Sequence, residues 1–270
     1  MTTSPDFSAI KTKQQGAWSA GDYAVIGTTL QIVGETLCEA LDMKPGSTVL
    51  DVCAGNGNVT LAAARRFTDV TSTDYVPSLL EASKRRATAE GLNVKYQEAD
   101  VEKLPFGDNS FDYVVSTFGV MFTPDQDTAA KELARVTKSG GKIGLANWTP
   151  DGIIGKLFKL IGGYAPPPAG VKSPSLWGTR ARIEELFAGS AAHVATASRN
   201  FNFRYKSPAH WIEVFRTYYG PIHKTFNALD ADKQKSFEHD LTGLLESFNI
   251  AKDGSLNAPG EYLEVVITKK

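Results

Sequence analysis

Residues 48–57 read Thr-Val-Leu-Asp-Val-Cys-Ala-Gly-Asn-Gly, and this stretch decides the fold class. Its β-rich first half predicts a short strand that ends near the carboxylate of Asp51 and continues into a loop carrying Gly55 and Gly57. Three alanines at 62–64 predict that a helix follows directly. Glycines at such a turn allow a ligand to lie against bare backbone at a helix N-terminus. The stretch therefore predicts a nucleotide-type binding turn.

The turn departs from the dinucleotide-binding fingerprint. When G-x-G-x-x-G is read from Gly55, Gly57 is in place, but Thr60 stands where the helix-packing glycine or alanine belongs. At the strand end, the carboxylate of Asp51 would also repel a pyrophosphate and attract a ligand that carries an ammonium group. An NAD(P)-dependent oxidoreductase is therefore the less favoured alternative.

Two further strands are predicted to end on acidic residues. The run 70–74 ends on Asp74, at a spacing from Asp51 that suits a carboxylate accepting hydrogen bonds from both hydroxyls of a ribose. The run 94–100 ends on Asp100, and with Val101 and Glu102 this segment is placed to face an adenine ring. The ordered series of acidic strand ends predicts a nucleoside-binding edge.

These motifs, with Leu104-Pro105-Phe106 and the run 109–112, resemble class I S-adenosylmethionine-dependent methyltransferases. Within that class they are most similar to the enzymes related to ubiquinone and menaquinone biosynthesis, over residues 18–150. The family usually has glycine where Cys53 stands, so Cys53 must adopt a conformation that tolerates a Cβ, or the loop is altered. The resemblance implies S-adenosyl-L-methionine as cofactor, bound by Asp51, Ala54, Gly55, Asn56, Gly57, Asp74, Tyr75, Asp100, Val101, Glu102, Thr117, Phe118, Trp18 and Tyr23.

Alternating strands and helices predict an α/β fold, with a mostly parallel sheet and helices on both faces. The resemblance makes this a Rossmann-like seven-stranded sheet in which the last strand, near 261–267, inserts antiparallel between the fifth and sixth. We expect an N-terminal helical segment (1–47), a cofactor-binding core (48–150) and a remainder (151–270) that completes the sheet. Segments 150–178 and 207–258 are predicted to form a helical cap. Helices are predicted over 26–41 and over 78–90, the latter capped by Ser78. The first, fourth and fifth strands are predicted over 48–52, 111–117 and 142–148.

Composition favours a soluble, cytoplasmic enzyme. The 270 residues carry a net charge of −1, which gives no basic excess for nucleic acid. We expect neither secretion nor membrane insertion, because residues 1–6 lack a positive region followed by an apolar core and no apolar run reaches membrane-spanning length. The two cysteines and four histidines show no metal-binding spacing, so no metal is expected.

The acceptor is predicted to be a small apolar or aromatic molecule, because the cap is rich in aromatic residues. Asn147 and Trp148, at the end of the fifth strand, and Tyr218 and Tyr219, in the cap, are candidate substrate residues. An acceptor that carries a proton needs a base, and His223 and His210 are the candidates. Packing or surface roles for these histidines, and anchoring roles for Trp18 and Tyr23, remain alternatives. A protein that binds the cofactor without transferring a methyl group is a further alternative.

Overall fold

The core of the molecule is a seven-stranded sheet. A computed structural model describes residues 5–270 and gives the strand order β3-β2-β1-β4-β5-β7-β6. All neighbouring strands are parallel except at β7, which runs antiparallel to both β5 and β6. The predicted insertion of the last strand is confirmed. The strands are β1 (Thr48–Val52), β2 (Asp69–Asp74), β3 (Val94–Glu98), β4 (Phe111–Thr117), β5 (Thr137–Trp148), β6 (Ala191–Tyr205) and β7 (Leu256–Lys269).

Helices cover both faces of the sheet. They are α1 (Phe7–Trp18), α2 (Tyr23–Gly27), α3 (Gln31–Leu41), α4 (Asn58–Ala64), α5 (Pro77–Ala89), α6 (Gln126–Val136), α7 (Ile153–Tyr164), α8 (Arg180–Phe187), α9 (Pro208–Tyr218), α10 (Gly220–Ala228) and α11 (Ala231–Phe248). Short 3₁₀ turns span Thr28–Leu30, Val120–Phe122 and Pro174–Gly178. No helix within residues 5–270 combines the length and the apolar character needed to cross a bilayer.

The strand residues alternate between two core clusters, as the pleat of a strand requires. Val49 packs in one cluster with Leu37 of α3 and Ala62 of α4. Leu50, one residue later, packs in the other with Leu133 of α6. The central strands are therefore buried on both faces, which is usual for a parallel sheet between two helix layers.

The cap is formed by α7 and α9–α11, and the N-terminal helices join it. Within it, α11 packs against α7 and α9, while α1 packs against α10 and α2 against α9. Because the parallel strands β1 and β2 are in register along their whole length, their carboxyl ends meet at one edge. That edge and the cap enclose the candidate site.

The predicted helix over 26–41 is interrupted. Helix α2 ends at Gly27, a 3₁₀ turn follows, and α3 begins at Gln31. The carbonyl of Gly27 accepts a hydrogen bond of 2.6 Å from the side chain of Asn58, and a Cβ on Gly27 would overlap the side chain of Asn56. The interruption therefore depends on the loop after β1, which contacts this point of the chain.

Two other predicted boundaries differ from the structure. Helix α5 begins at Pro77, and Ser78 is not its cap; Asp74 accepts from the N–H of Val76 just before the helix instead. Strand β5 begins at Thr137 rather than Lys142, with an irregular register near its start.

Candidate active site

One cleft lies between the carboxyl edge of the sheet and the cap. It encloses about 1130 Å³, counting its open mouth. The segments that follow β1, β2 and β3 form one side together with Lys11 and Gln14 of α1. Trp18, residues of α2, α7 and α9, and the aromatic residues that follow β4 form the other. The first side is mainly polar and the second mainly aromatic and aliphatic, so the cleft joins two chemically different chambers.

The loop after β1 supplies bare backbone to the polar side. Gly55 and Gly57 have φ angles of 56° and 83°, in the left-handed region that favours glycine. The N–H of Ala54 donates to the carbonyl of Thr73 over 2.9 Å, which fixes the loop to β2. Gly55 lines the cleft, whereas a Cβ on Gly57 would overlap Ser83 of α5. Gly57 therefore permits close packing beneath the loop and does not itself form the wall.

Cys53 is accommodated because its neighbour is a glycine. Its φ of 51° is unusual for a residue with a Cβ. A Cβ added to Gly119, which follows β4, would lie 2.5 Å from the Cβ of Cys53 and would overlap its carbonyl oxygen. Burial raises the pKa of the Cys53 thiol, so the thiol is protonated at neutral pH.

Asp74 ties the loop to the end of β2. One carboxylate oxygen accepts from the N–H of Gly55 and the other from the N–H of Val76, each over 2.9 Å. The side chain is nearly buried, and this burial raises the pKa of Asp74 to about 6 despite the hydrogen bonds. Since each oxygen has a second lone pair, the ionised group can still accept hydrogen bonds from a ligand.

Asp51 lies behind the loop and outside the wall of the cleft. It is completely buried, and it accepts a hydrogen bond from the hydroxyl of Thr60. Burial raises the pKa of Asp51 to about 8, so the group is mainly protonated at pH 7. Asp51 therefore does not support the predicted repulsion of a pyrophosphate, because it lies outside the wall of the cleft and is mainly uncharged.

Asp100 and Glu102 meet Lys11 of α1 at the mouth of the polar side. The ammonium of Lys11 lies 2.5 Å from Asp100 and 2.9 Å from Glu102. Burial lowers the pKa of Lys11, but its hydrogen bonds to the two carboxylates outweigh this and raise it overall. Two neighbouring side chains of α1 add contacts, since Gln14 donates to the carbonyl of Phe122 and Gln15 to that of Tyr75. These polar contacts help to hold α1 across the cleft, since none of its residues is fully buried.

Replacement of Lys11 by methionine should loosen α1. We expect amide hydrogen exchange within 7–18 to accelerate several-fold, because the two carboxylate contacts of this partly exposed group contribute on the order of 1 kcal/mol. Lys13→Met is the matched control, since Lys13 is exposed on the same helix. Equal exchange in the two variants would contradict a holding role for Lys11.

The opposite side of the cleft is an aromatic chamber built around two ring groups. Trp18 contacts Phe122 and Tyr219, with ring centroids 4.9 and 5.7 Å apart. Phe118 and Trp148 stack at 3.9 Å with their planes 4° apart. The edge-to-face contacts of Trp18 are typical of aromatic pairs in protein cores, whereas the Phe118–Trp148 stack is closer than most. The chamber is completed by Tyr23, Ile154, Leu157, Phe203 and Phe215.

Most residues predicted for the cofactor lie on the wall of this cleft. The structure brings together Trp18, Tyr23, Ala54, Gly55, Asn56, Asp74, Tyr75, Asp100, Val101, Glu102, Thr117 and Phe118, and leaves out Asp51 and Gly57. Of the predicted substrate residues, Trp148 and Tyr219 line the chamber, whereas Asn147 and Tyr218 do not. Asn147 points to the opposite face of β5 from Trp148, because successive strand residues alternate.

Neither candidate histidine lines the cleft. The Nδ1 of His223 lies 3.0 Å from the carbonyl oxygen of Arg216, and its Nε2 lies 2.9 Å from the side-chain nitrogen of Asn227. The Nδ1 of His210 accepts from the N–H of Lys206. The ring of His223 contacts α9 and its own helix, and that of His210 contacts the segment before α9, so the geometry does not support either as a base for a ligand in the cleft.

Sequence reasoning missed the contributions of α1 and α7. Lys11 and Gln14 lie in the predicted N-terminal helical segment but were not named as cleft residues, and Ile154 and Leu157 of α7 also line the cleft. The i, i+3 spacing of the latter pair is a helical signal, but the direction in which the helix faces is set by the tertiary fold.

Comparison with known proteins assigns the family. Residues 50–145 match the family described as a methyltransferase domain. An uncharacterized protein of Mycobacterium tuberculosis is 37% identical over 256 residues, which is 94% of this chain and 93% of the relative. The demethylmenaquinone methyltransferase of Staphylococcus aureus is 41% identical over 106 residues, covering 38% of this chain and 44% of the relative.

This chain belongs to the class I S-adenosylmethionine-dependent methyltransferases. The crystal structure of the YcgJ protein from Bacillus subtilis has the same fold, with a TM-score of 0.59 at 18% identity, over 90% of this chain and 99% of that one. The predicted Rossmann-like fold is thereby confirmed for this methyltransferase.

The cleft of the methyltransferase fits the family's cofactor. The wall at Gly55 presents backbone, and a Cβ there would have open space apart from Tyr23 at 3.6 Å. The buried carboxylate of Asp74 lies directly beside that backbone. A cradle of backbone and carboxylate suits a ligand with ribose hydroxyls and an ammonium group.

Proposed function

We propose that this methyltransferase transfers a methyl group from S-adenosylmethionine to a small, uncharged aromatic or apolar molecule by in-line displacement. One observation carries the proposal. The Gly55–Asp74 cradle and the aromatic chamber around Trp148 are two ends of a single cleft. A donor in the cradle and an acceptor in the chamber would meet without either leaving the enclosure.

The polar end would hold the cofactor. Asp74 would accept the ribose hydroxyls, while Asp100 and the segment through Glu102 would face the adenine. Ala54, Gly55 and Asn56 would border the amino-acid portion with their backbone. When bound, the cofactor supplies an electrophilic methyl group on a sulfonium, which a lone pair of the acceptor takes in line with the carbon–sulfur bond, leaving S-adenosylhomocysteine.

The apolar end would recognise the acceptor. Its wall includes Trp18, Phe122, Trp148, Phe203 and Phe215. The charged residues that line the cleft are Lys11, Asp74, Asp100 and Glu102, and all of them belong to the polar end. Transfer of a charged molecule into such surroundings is strongly unfavourable, whereas an aromatic ring gains contact with rings. The chamber thus favours an uncharged acceptor.

No histidine among residues 5–270 lines the cleft, so the protein would act chiefly by aligning the cofactor and the acceptor. Holding two reactants in the correct geometry supplies a large part of the rate in such a reaction. The acceptor would then carry a nucleophile that needs little activation, or would release its proton to water at the mouth of the cleft.

Transfer of a labelled methyl group tests the proposed function. The purified protein is incubated with S-adenosylmethionine labelled in the methyl group and with acceptors of similar size that are neutral aromatic, cationic or anionic. Demethylmenaquinone, the compound in the name of the Staphylococcus aureus relative, is tested as a further acceptor. We expect label in a neutral aromatic product and at least tenfold less in the charged compounds. Transfer only to a charged acceptor, or cofactor binding without transfer to any compound, would contradict the proposal.

A further inference from the structure

Tyr219 carries a hydroxyl that is free to meet a ligand. Tyr219 lines the cleft and is only 7% exposed, and among residues 5–270 its hydroxyl makes no hydrogen bond. This hydroxyl is not sealed from its surroundings, in contrast to that of Tyr205, which is buried without a partner in the described part of the chain. A hydroxyl in the wall of an open cleft that has no partner in residues 5–270 is available to donate or accept a hydrogen bond.

The position of Tyr219 is the junction of the two chambers. Its ring lies 5.4 Å from that of Phe215, on the aromatic side, and 6.4 Å from that of Tyr23. Tyr23 in turn lies beside the cradle, 3.6 Å from the Cβ position of Gly55. Burial and then the negative charge of Asp74 raise the pKa of Tyr23 to about 12.

Tyr219 lies beside Tyr23. Burial and then the neighbouring Tyr23 raise the pKa of Tyr219. Both hydroxyl groups are neutral at pH 7, so each can donate and accept a hydrogen bond. The rings of Trp18 and Phe215 fix the Tyr219 ring between them, which limits the directions in which the hydroxyl can point.

We propose that Tyr219 is a specificity-determining residue that hydrogen bonds an oxygen atom of the acceptor. The acceptor would then be a neutral aromatic molecule that bears a hydroxyl or carbonyl oxygen, bound with that oxygen close to the cofactor end of the chamber. This inference rests on the proposed function. A site that contains a buried hydrogen-bonding group discriminates strongly against an analogue that cannot pair with it.

The structure also supplies a control for removing a buried hydroxyl. The Tyr205 hydroxyl is buried without a partner in the described part of the chain, and its ring contacts Phe215 at 6.1 Å. Tyr205 does not line the cleft. Tyr205→Phe therefore reproduces the general effect of deleting such a group without touching a bound acceptor.

The test compares two probes that differ by one hydroxyl, 1-naphthol and naphthalene, at a pH where both are uncharged. Their affinities are measured by fluorescence titration on the wild-type protein, Tyr219→Phe and Tyr205→Phe, each saturated with S-adenosylhomocysteine. We expect the preference of the wild type for 1-naphthol to fall about three- to tenfold in Tyr219→Phe, which is the loss of one hydrogen bond, and to persist in Tyr205→Phe.

An unchanged preference in Tyr219→Phe, an equal change in Tyr205→Phe, or no binding of either probe to the wild type would overturn the inference. Each protein is titrated with S-adenosylhomocysteine before the probes are added. This first titration distinguishes failure of the inference about Tyr219 from failure of the proposed function. If that ligand does not bind the wild type, the proposed function fails. If it binds all three proteins equally, the folding of the variants is intact and the probe result concerns Tyr219 alone.

Discussion

Replacement of Asp74 by asparagine is expected to lower the affinity for S-adenosylmethionine by about 1–3 kcal/mol, the range for losing charge-assisted hydrogen bonds. The substitution keeps the size of the side chain but removes the charge and one acceptor oxygen. It would also leave the N–H of either Gly55 or Val76 facing an amide nitrogen, because each oxygen of Asp74 accepts from one of them. Isothermal titration calorimetry measures the change directly.

Asp69→Asn is the matched control. Asp69 begins the same strand, is exposed and pairs with Lys95 at the opposite edge of the sheet. We expect its cofactor affinity to equal that of the wild type. If Asp74→Asn also binds as the wild type does, the assignment of Asp74 to the ribose is incorrect.

The same carboxylate predicts a pH dependence of binding. The pKa of Asp74 is raised to about 6, so the group that accepts the ribose hydroxyls is ionised above that pH and protonated below it. Affinity should therefore be constant above pH 7 and should fall as the pH drops through 6, by up to about tenfold per pH unit. In Asp74→Asn this decline should be absent.

Replacement of Gly119 by alanine is expected to reduce the free energy of unfolding by about 1–3 kcal/mol, as overpacking of a buried site does. The added Cβ would overlap the carbonyl oxygen of Cys53 and would lie 2.5 Å from its Cβ. Cys53 already has a left-handed backbone conformation, so we expect that the loop can relieve this overlap only by a shift that also moves Gly55. We therefore expect weaker cofactor binding as well, measured with urea unfolding and calorimetry.

Gly107→Ala is the control for this substitution. A Cβ at Gly107 would meet only the hydroxyl of Ser110, at 3.6 Å. Its stability should lie within about 0.5 kcal/mol of the wild type. A double change of Cys53→Gly with Gly119→Ala should restore part of the loss, because it relieves the contact between the Cβ atoms. Wild-type stability of Gly119→Ala would show that the loop after β1 is not rigid.

The strands of the cofactor half could be predicted from the sequence because their signals are local. β1 and β4 match their predicted bounds, since each is a short β-rich run between turn residues. The interruption at Gly27 could not be predicted, because it depends on a hydrogen bond from Asn58, 31 residues away. Helix α1 gave no apolar stripe to detect, and its contacts with Asp100 and Glu102 arise only when the chain folds.

The candidate site, like the fold, could be predicted from the sequence only in part. Carboxyl ends of neighbouring parallel strands must share an edge, so the sequence alone is enough to place Asp74 and Asp100 together. The direction of a cap side chain has no such constraint. Tyr219 faces the cleft while Tyr218 does not, and His223 turns to the carbonyl of Arg216. The prediction of a histidine base rested on general chemistry and not on position.

A crystal structure with S-adenosylhomocysteine, obtained by soaking or co-crystallisation, would show whether the cleft binds the cofactor. We expect a ligand whose ribose hydroxyls contact Asp74, whose adenine lies beside Val101, and whose sulfur faces the chamber between Trp148 and Tyr219. An empty cleft at saturating ligand, or a ligand bound elsewhere, would contradict this expectation.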